Sequence, residues 1–198
     1  MSASTGSRSE PRRRVPAAQR REELVQAAVA EFARGGLHGT PVADIARRVG
    51  VAQPYVFSLF AGKRELFLAA VELGFARSEQ TFREAVDAYR RGEAPAEADG
   101  PLKAMGLAYL EMVRCDRDTL MLQLQSYAAC DDEIVAERVR ALFARLVETA
   151  RELSGAGEEE LDEFIRQGMA CNVAAALGVD DLSIGSAWVS TALDGQAS

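Results

Sequence analysis

Residues 40–60, TPVADIARRVGVAQPYVFSLF, constrain the fold more than any other part of the chain. Val42, Ile45, Ala46 and Val49 recur at the spacing of one helical face, and Gly50 stops that helix. Thr40 is placed to cap it, with Pro41 at the first helical position, where its missing N–H costs nothing. A second short helix is expected at about 52–60, with Val51, Val56 and Phe60 on its inner side. Ala46 is small and lies where that helix crosses. Two short helices locked by a tight glycine turn are what a helix-turn-helix needs to project its second helix into the DNA major groove. Spacing alone leaves a helical hairpin of another purpose equally open.

Helical periodicity continues through the rest of the chain, and strand-like alternation is almost absent. The first helix is expected over 17–34, ended by Gly35 and Gly36. A fourth begins at Gly62 and Lys63 and runs to about 91. The stretch 92–100, GEAPAEADG, is a break that no helix would bury. Further helices are expected at about 102–115, 118–130, 132–153, 158–177 and 183–192. The fold class is all-α, an N-terminal three-helix helix-turn-helix domain plus a larger helical body. The divisions are a disordered basic arm at 1–16, the helix-turn-helix domain at 17–62 and the helical body at 63–198.

The net charge of −7 averages two unlike parts. Residues 1–67 hold 11 Lys/Arg against 6 Asp/Glu, whereas residues 68–198 hold 12 against 24. Such asymmetry suits a chain whose first part meets a polyanion. Arg12, Arg13 and Arg14 read either as a solvated tail or as an arm that follows the DNA backbone or enters a minor groove. No apolar run follows them, which argues against a secretory signal, and no run is long enough to span a membrane. Cys115, Cys130 and Cys171 lack metal or redox spacing and read as buried free thiols in a reducing cytoplasm.

The stretch VADIARRVGVAQPYVFSLFAGKRELF, residues 42–67, resembles the DNA-binding domain of the TetR family. An ADIA-like helix, a GVS-type turn, a recognition helix ending in aromatic-x-x-Phe and a K-x-E-L helix start follow one another as in that family. The resemblance implies a homodimeric, ligand-responsive transcriptional regulator, a repressor on near-palindromic double-stranded DNA. By position it implies base reading by Gln53, Pro54 and Tyr55, with Ser58 on the same helix, and phosphate contacts by Thr40 and Lys63. The physics agrees, since the first turn of a recognition helix lies deepest in the groove and glutamine pairs with the N6/N7 edge of adenine. One of Arg47 and Arg48 is expected on phosphate, and Arg48 is the candidate carried forward. Four residues depart from the family pattern. Phe57 stands where a tyrosine is frequent, Ser58 and Leu59 where larger polar residues are frequent, and Ala52 where a capping serine is usual.

In the body, Tyr109, Met112, Leu124, Tyr127 and Phe143 sit at helical spacings and are the candidate lining of a small-molecule effector pocket, because pockets between helices are mostly apolar with few polar groups. The resemblance implies a dimer face through the last two helices, with Met169, Val173 and Trp188 as candidates. His38 is the only histidine and has no nucleophile or carboxylate at a catalytic spacing, so no enzyme, no metal and no cofactor is expected. The rival reading is a helical adaptor or dimerisation protein that has lost DNA binding, favoured by Phe57, Leu59 and the negative net charge.

Overall fold

A computed structural model describes residues 16–179, which form eight helices and no strand. The expected arm at 1–16 (save Pro16), the helix at 183–192 and Trp188 lie outside the described residues. Helix α1 spans Ala17–Gly39, α2 Val42–Val49, α3 Gln53–Leu59, α4 Lys63–Arg90, α5 Pro101–Cys115, α6 Arg117–Ala128, α7 Glu133–Ser154 and α8 Glu158–Leu177.

Local chemistry sets most of these ends. Gly50 takes the left-handed conformation (φ 72°, ψ 34°) and donates to the Ala46 and Arg47 carbonyls, while Val51 N–H also reaches Ala46 O at 2.9 Å. That satisfies carbonyls the helix would otherwise leave open. Asp132 accepts from the amides of Ile134 and Val135 at the start of α7, and Gly155 ends it with φ 67°. Helix α6 is capped by Asp116, two residues before the expected start, because its carboxylate accepts from the Thr119 amide.

The first helix does not end at its glycines. Gly36 breaks it with φ 61° and ψ −173°, and one further turn carries the buried Leu37. A Cβ at Gly35 would stand 2.6 Å from Thr40 Oγ1, and one at Gly36 would stand 2.5 Å from Gln125 Oε1. The paired glycines therefore permit two close approaches, one by the following turn and one by α6.

One hydrophobic core runs from Leu24 in α1 to Leu161 in α8. Phe32 meets Phe67 edge-on with centroids 5.0 Å apart, so α1 and α4 share a joint across residue 62. Helix α1 also packs along α6, and α4 packs against α5 and α7. A polar clamp reinforces the junction: Arg77 donates to Asp116 Oδ2 (3.0 Å), Thr119 Oγ1 (2.7 Å) and Gln26 Oε1 (2.5 Å), joining α4, α6 and α1. The first three helices are thus continuous in packing with the body. No described helix is long and apolar enough to cross a membrane.

The cysteines correct an expectation. Cys115 is exposed, Cys130 and Cys171 are half-buried, and none is in a disulfide. Cys115 lies in the last turn of α5 and its thiol donates to Glu111 Oε1, which together with the carboxylate's charge pushes its pKa up.

Candidate nucleic-acid interface

Helix α3 is held from beneath by Val56 and by Phe60 immediately after it, both buried. The Arg21 guanidinium covers the Phe60 ring at 4.6 Å from its centroid. Around that anchor Gln53, Pro54, Tyr55, Phe57 and Ser58 are all exposed. Tyr55 and Phe57 are large for such positions, 37% and 45% exposed. No residue of α3 is charged. What this face offers is therefore one amide, one phenol and apolar surface, a set suited to adenine edges and thymine methyls. The Ser58 hydroxyl donates to the Tyr55 carbonyl at 2.7 Å and is already engaged.

Two expected contacts are altered by the fold. Thr40 is buried, and its hydroxyl donates to Glu31 O at 3.1 Å. Neither capping nor a side-chain phosphate contact is open to it: Pro41 occupies the cap position of α2, and the missing Cβ of Gly35 lets Thr40 close against α1. Lys63 donates to His38 O at 2.9 Å, and burial lowers its pKa.

The arginines divide similarly. Arg47 pairs with Asp44 of its own helix at 2.8 Å, its side chain 76% exposed. Arg48 crosses to Glu31 at 2.8 Å, and Arg34 shares that carboxylate. Arg20 pairs with Glu23, Arg21 with Glu65 and Arg64 with Asp132. Each of the seven cations in residues 16–67 has a partner within the chain, and the five acids there leave a balance of +2. Residues 1–15, with four arginines and one glutamate, carry the remaining +3 of the N-terminal excess.

A cavity of about 540 Å³, open on one side, lies between α4, α5, α6, α7 and α8. Tyr109 and Phe143 line it as expected; Met112, Leu124 and Tyr127 do not. Met112 faces α4, where its sulfur accepts from the Thr81 hydroxyl at 3.4 Å. Leu124 packs half-buried on the core. Tyr127 stands behind Gln123 and meets Phe143 edge-on at 6.3 Å. Burial raises the pKa of both tyrosines, that of Tyr127 to about 12. Phe82, Leu146, Phe164 and Asn172 also line the cavity and were not among the expected residues. Only Asn172 left a trace in the sequence, as a polar residue inside the apolar run 169–177. On α8, Val173 and Leu177 are exposed, at 42% and 59%, whereas Met169 lines the cavity.

A short helix presented on a glycine turn, with an uncharged exposed face and a cavity-bearing helical body behind it, is the arrangement of a helix-turn-helix DNA-binding protein. Residues 24–70 match the family model of the bacterial regulatory proteins, tetR family. Solved structures share the fold over most of its length. A TetR-like transcriptional regulator from Rhodococcus sp. RHA1 has a TM-score of 0.60 at 22% identity, over 82% of this chain and 85% of that one. The fatty acid degradation regulator FadR from Bacillus halodurans has a TM-score of 0.62 at 17% identity, over 79% and 88%. A tetR-family regulator from Streptomyces coelicolor has a TM-score of 0.58 at 20% identity, over 82% and 71%. No curated protein sequence matches the chain significantly.

Proposed function

We propose that the protein is a transcriptional repressor that binds a near-palindromic operator as a homodimer and releases it when a small molecule occupies the helical body. The observation that carries this reading is the exposure of Gln53, Pro54 and Tyr55 on a helix whose opposite side is locked by Val56 and Phe60. The reading side chains are presented by a rigid base, as base readout requires. The exposed Val173 and Leu177 on α8 support association with a second copy, which would bring two recognition helices to successive major grooves. The cavity supports an effector, whose influence is bounded by its differential affinity for the DNA-competent and released states. The same fold in known regulators agrees with a role in binding and regulation in place of catalysis.

Selection of bound duplexes from a random library tests the proposal. The expected result is a palindrome with half-sites about one helical turn apart. Failure to enrich any sequence with folded protein sinks it. A second prediction concerns the source of charge. Deleting residues 1–14 should flatten the dependence of log K on log salt by about 0.9 for each phosphate that the arm neutralises in the intact protein.

The adaptor reading has one observation of its own: every described cation near α3 is engaged within the chain, and the apolar ring of Phe57 faces solvent. An adaptor would keep its partner binding in Gln53→Ala and show no operator to lose.

A further inference from the structure

The inner wall of the cavity carries an unbalanced set of hydrogen bonds. The Tyr109 hydroxyl faces two carbonyl oxygens, Gln123 Oε1 at 3.1 Å and Asn172 Oδ1 at 2.9 Å. It has one proton and can satisfy one of them at a time. Gln123 in turn meets the Tyr127 hydroxyl at 2.8 Å; with its amide turned over it would accept from Tyr127 and donate to Tyr109, freeing the Tyr109 proton for Asn172. In either orientation of Gln123, the polar atom left over belongs to Asn172. This residue is 2% exposed and lines the cavity, and its Nδ2 has no partner among the described residues. Turning that amide over would let it donate to Tyr109 and would leave its oxygen unpaired instead. Either way, one buried polar atom of Asn172 is left open. A buried polar group without a partner is costly, so a ligand that supplies the partner gains what the empty site forgoes.

Most of the remaining lining is apolar, with Phe82, Phe143 and Phe164 giving flat, polarisable walls beside Leu110 and Leu146, while Ser154 and Gln167 add polar groups. Every charged lining residue is exposed at the rim: Asp99, Glu160 and Glu163 against the single Lys103. No charged residue stands inside to pair with an ionised ligand group, and the acidic rim disfavours an amphiphile that would leave an anionic head at the mouth.

We propose that this cavity takes an uncharged, mostly apolar, aromatic-sized molecule bearing one hydroxyl or carbonyl group, seated with that group inward against Asn172 and Tyr109. The volume is within the range of sites for drug-sized ligands. The proposal rests on the reading of the cavity as the effector site but commits to the chemistry of its occupant.

The test uses four probes on one biphenyl frame with the full chain at pH 7: 4-phenylphenol, 4-acetylbiphenyl, biphenyl-4-carboxylate and 4-phenylbenzylammonium. Calorimetry should find saturable binding of both uncharged probes, one per chain, with each charged probe at least about tenfold weaker, the equivalent of one buried hydrogen bond. Asn172→Leu keeps the volume and leaves Tyr109 donating to Gln123, so it should fold and should weaken 4-phenylphenol about tenfold. Tyr109→Phe, which keeps the ring, should weaken it similarly and serves if the first variant does not fold. A charged probe that binds as tightly as the neutral ones overturns the proposal, as does the absence of saturable neutral binding or indifference to both variants. Titration into the complex with a selected duplex separates the two readings. Neutral binding that leaves DNA bound would remove the effector reading and keep the ligand chemistry. Release of DNA by a charged probe would do the reverse.

Discussion

Helix α3 and the cavity of the body handle polarity in opposite ways. α3 is anchored by Val56 and Phe60 and leaves Gln53, Tyr55 and Ser58 to solvent. The cavity closes around Tyr109, Gln123 and Asn172 and leaves their hydrogen bonds one partner short. Water satisfies the first set, so a partner there must do better than water, and geometry decides the outcome through base edges. No solvent compensates the second set as readily, so a matching polar group is favoured strongly and a mismatched one is penalised. The two sites would therefore select partners by different means, shape-specific exchange with water outside and, on the proposed reading, completion of a buried network inside.

The largest effect is expected at the anchor of α3. Phe60→Ala should cost about 3–5 kcal/mol of folding stability in chemical denaturation, because it empties a fully packed site under Arg21. Phe57→Ala, three residues away and exposed, should change stability by less than about 0.5 kcal/mol while altering DNA affinity. Equal destabilisation by the two would mean that Phe57 is covered in the free protein. Gln53→Ala tests the reading face itself: discrimination between operator and mismatched duplex should fall by about 1–3 kcal/mol with the melting temperature unchanged.

Gly36→Ala probes the joint between the two regions. The backbone of Gly36, φ 61° with ψ −173°, lies in a region essentially confined to glycine and should cost about 1–3 kcal/mol with a Cβ, and Gln125 must also withdraw its amide. A smaller loss would show that the break in α1 relaxes into a regular helix.

The smallest effect expected is alkaline. Burial raises the Tyr127 pKa from 10.0 to about 12, so above pH 10 the unfolded chain loses this proton first. Stability from this group is present below pH 10 and is lost as pH rises towards 12; Tyr109 shifts in the same direction. Denaturation midpoints should fall over that window, and Tyr127→Phe should flatten the fall. An unchanged pH slope in the variant would mean that Tyr127 titrates as it does in the unfolded chain.

Much of the secondary structure was legible because its signals are local. The expected 158–177 coincides with α8, and the expected fourth helix runs one or two residues beyond the observed α4. Gly50, Gly155 and Asp132 end or begin helices through bonds to residues within five positions. The exposed side of α3 was equally legible, since seven residues around one buried valine leave little choice of side. The cavity was not. Two of its five expected lining residues are in place, because helical spacing gives a face but not which neighbour covers it. Met112 shares a helix with Tyr109 yet serves the joint with α4. Thr40 reads as a free hydroxyl beside a helix start, whereas Gly35 brings it under α1.

The helical class, the glycine turn, the uncharged third helix and the family model that its motif matches were all set by the amino-acid order, since each depends on residues adjacent or one turn apart. The packing of distant helices decided that Thr40 faces inward, that Arg48 is held by Glu31 and that Gln125 docks on Gly36. It also decided that a single tyrosine proton is shared between residues 14 and 63 positions away. Those outcomes depend on which remote side chains several helices bring within hydrogen-bonding distance, and no local periodicity encodes that distance.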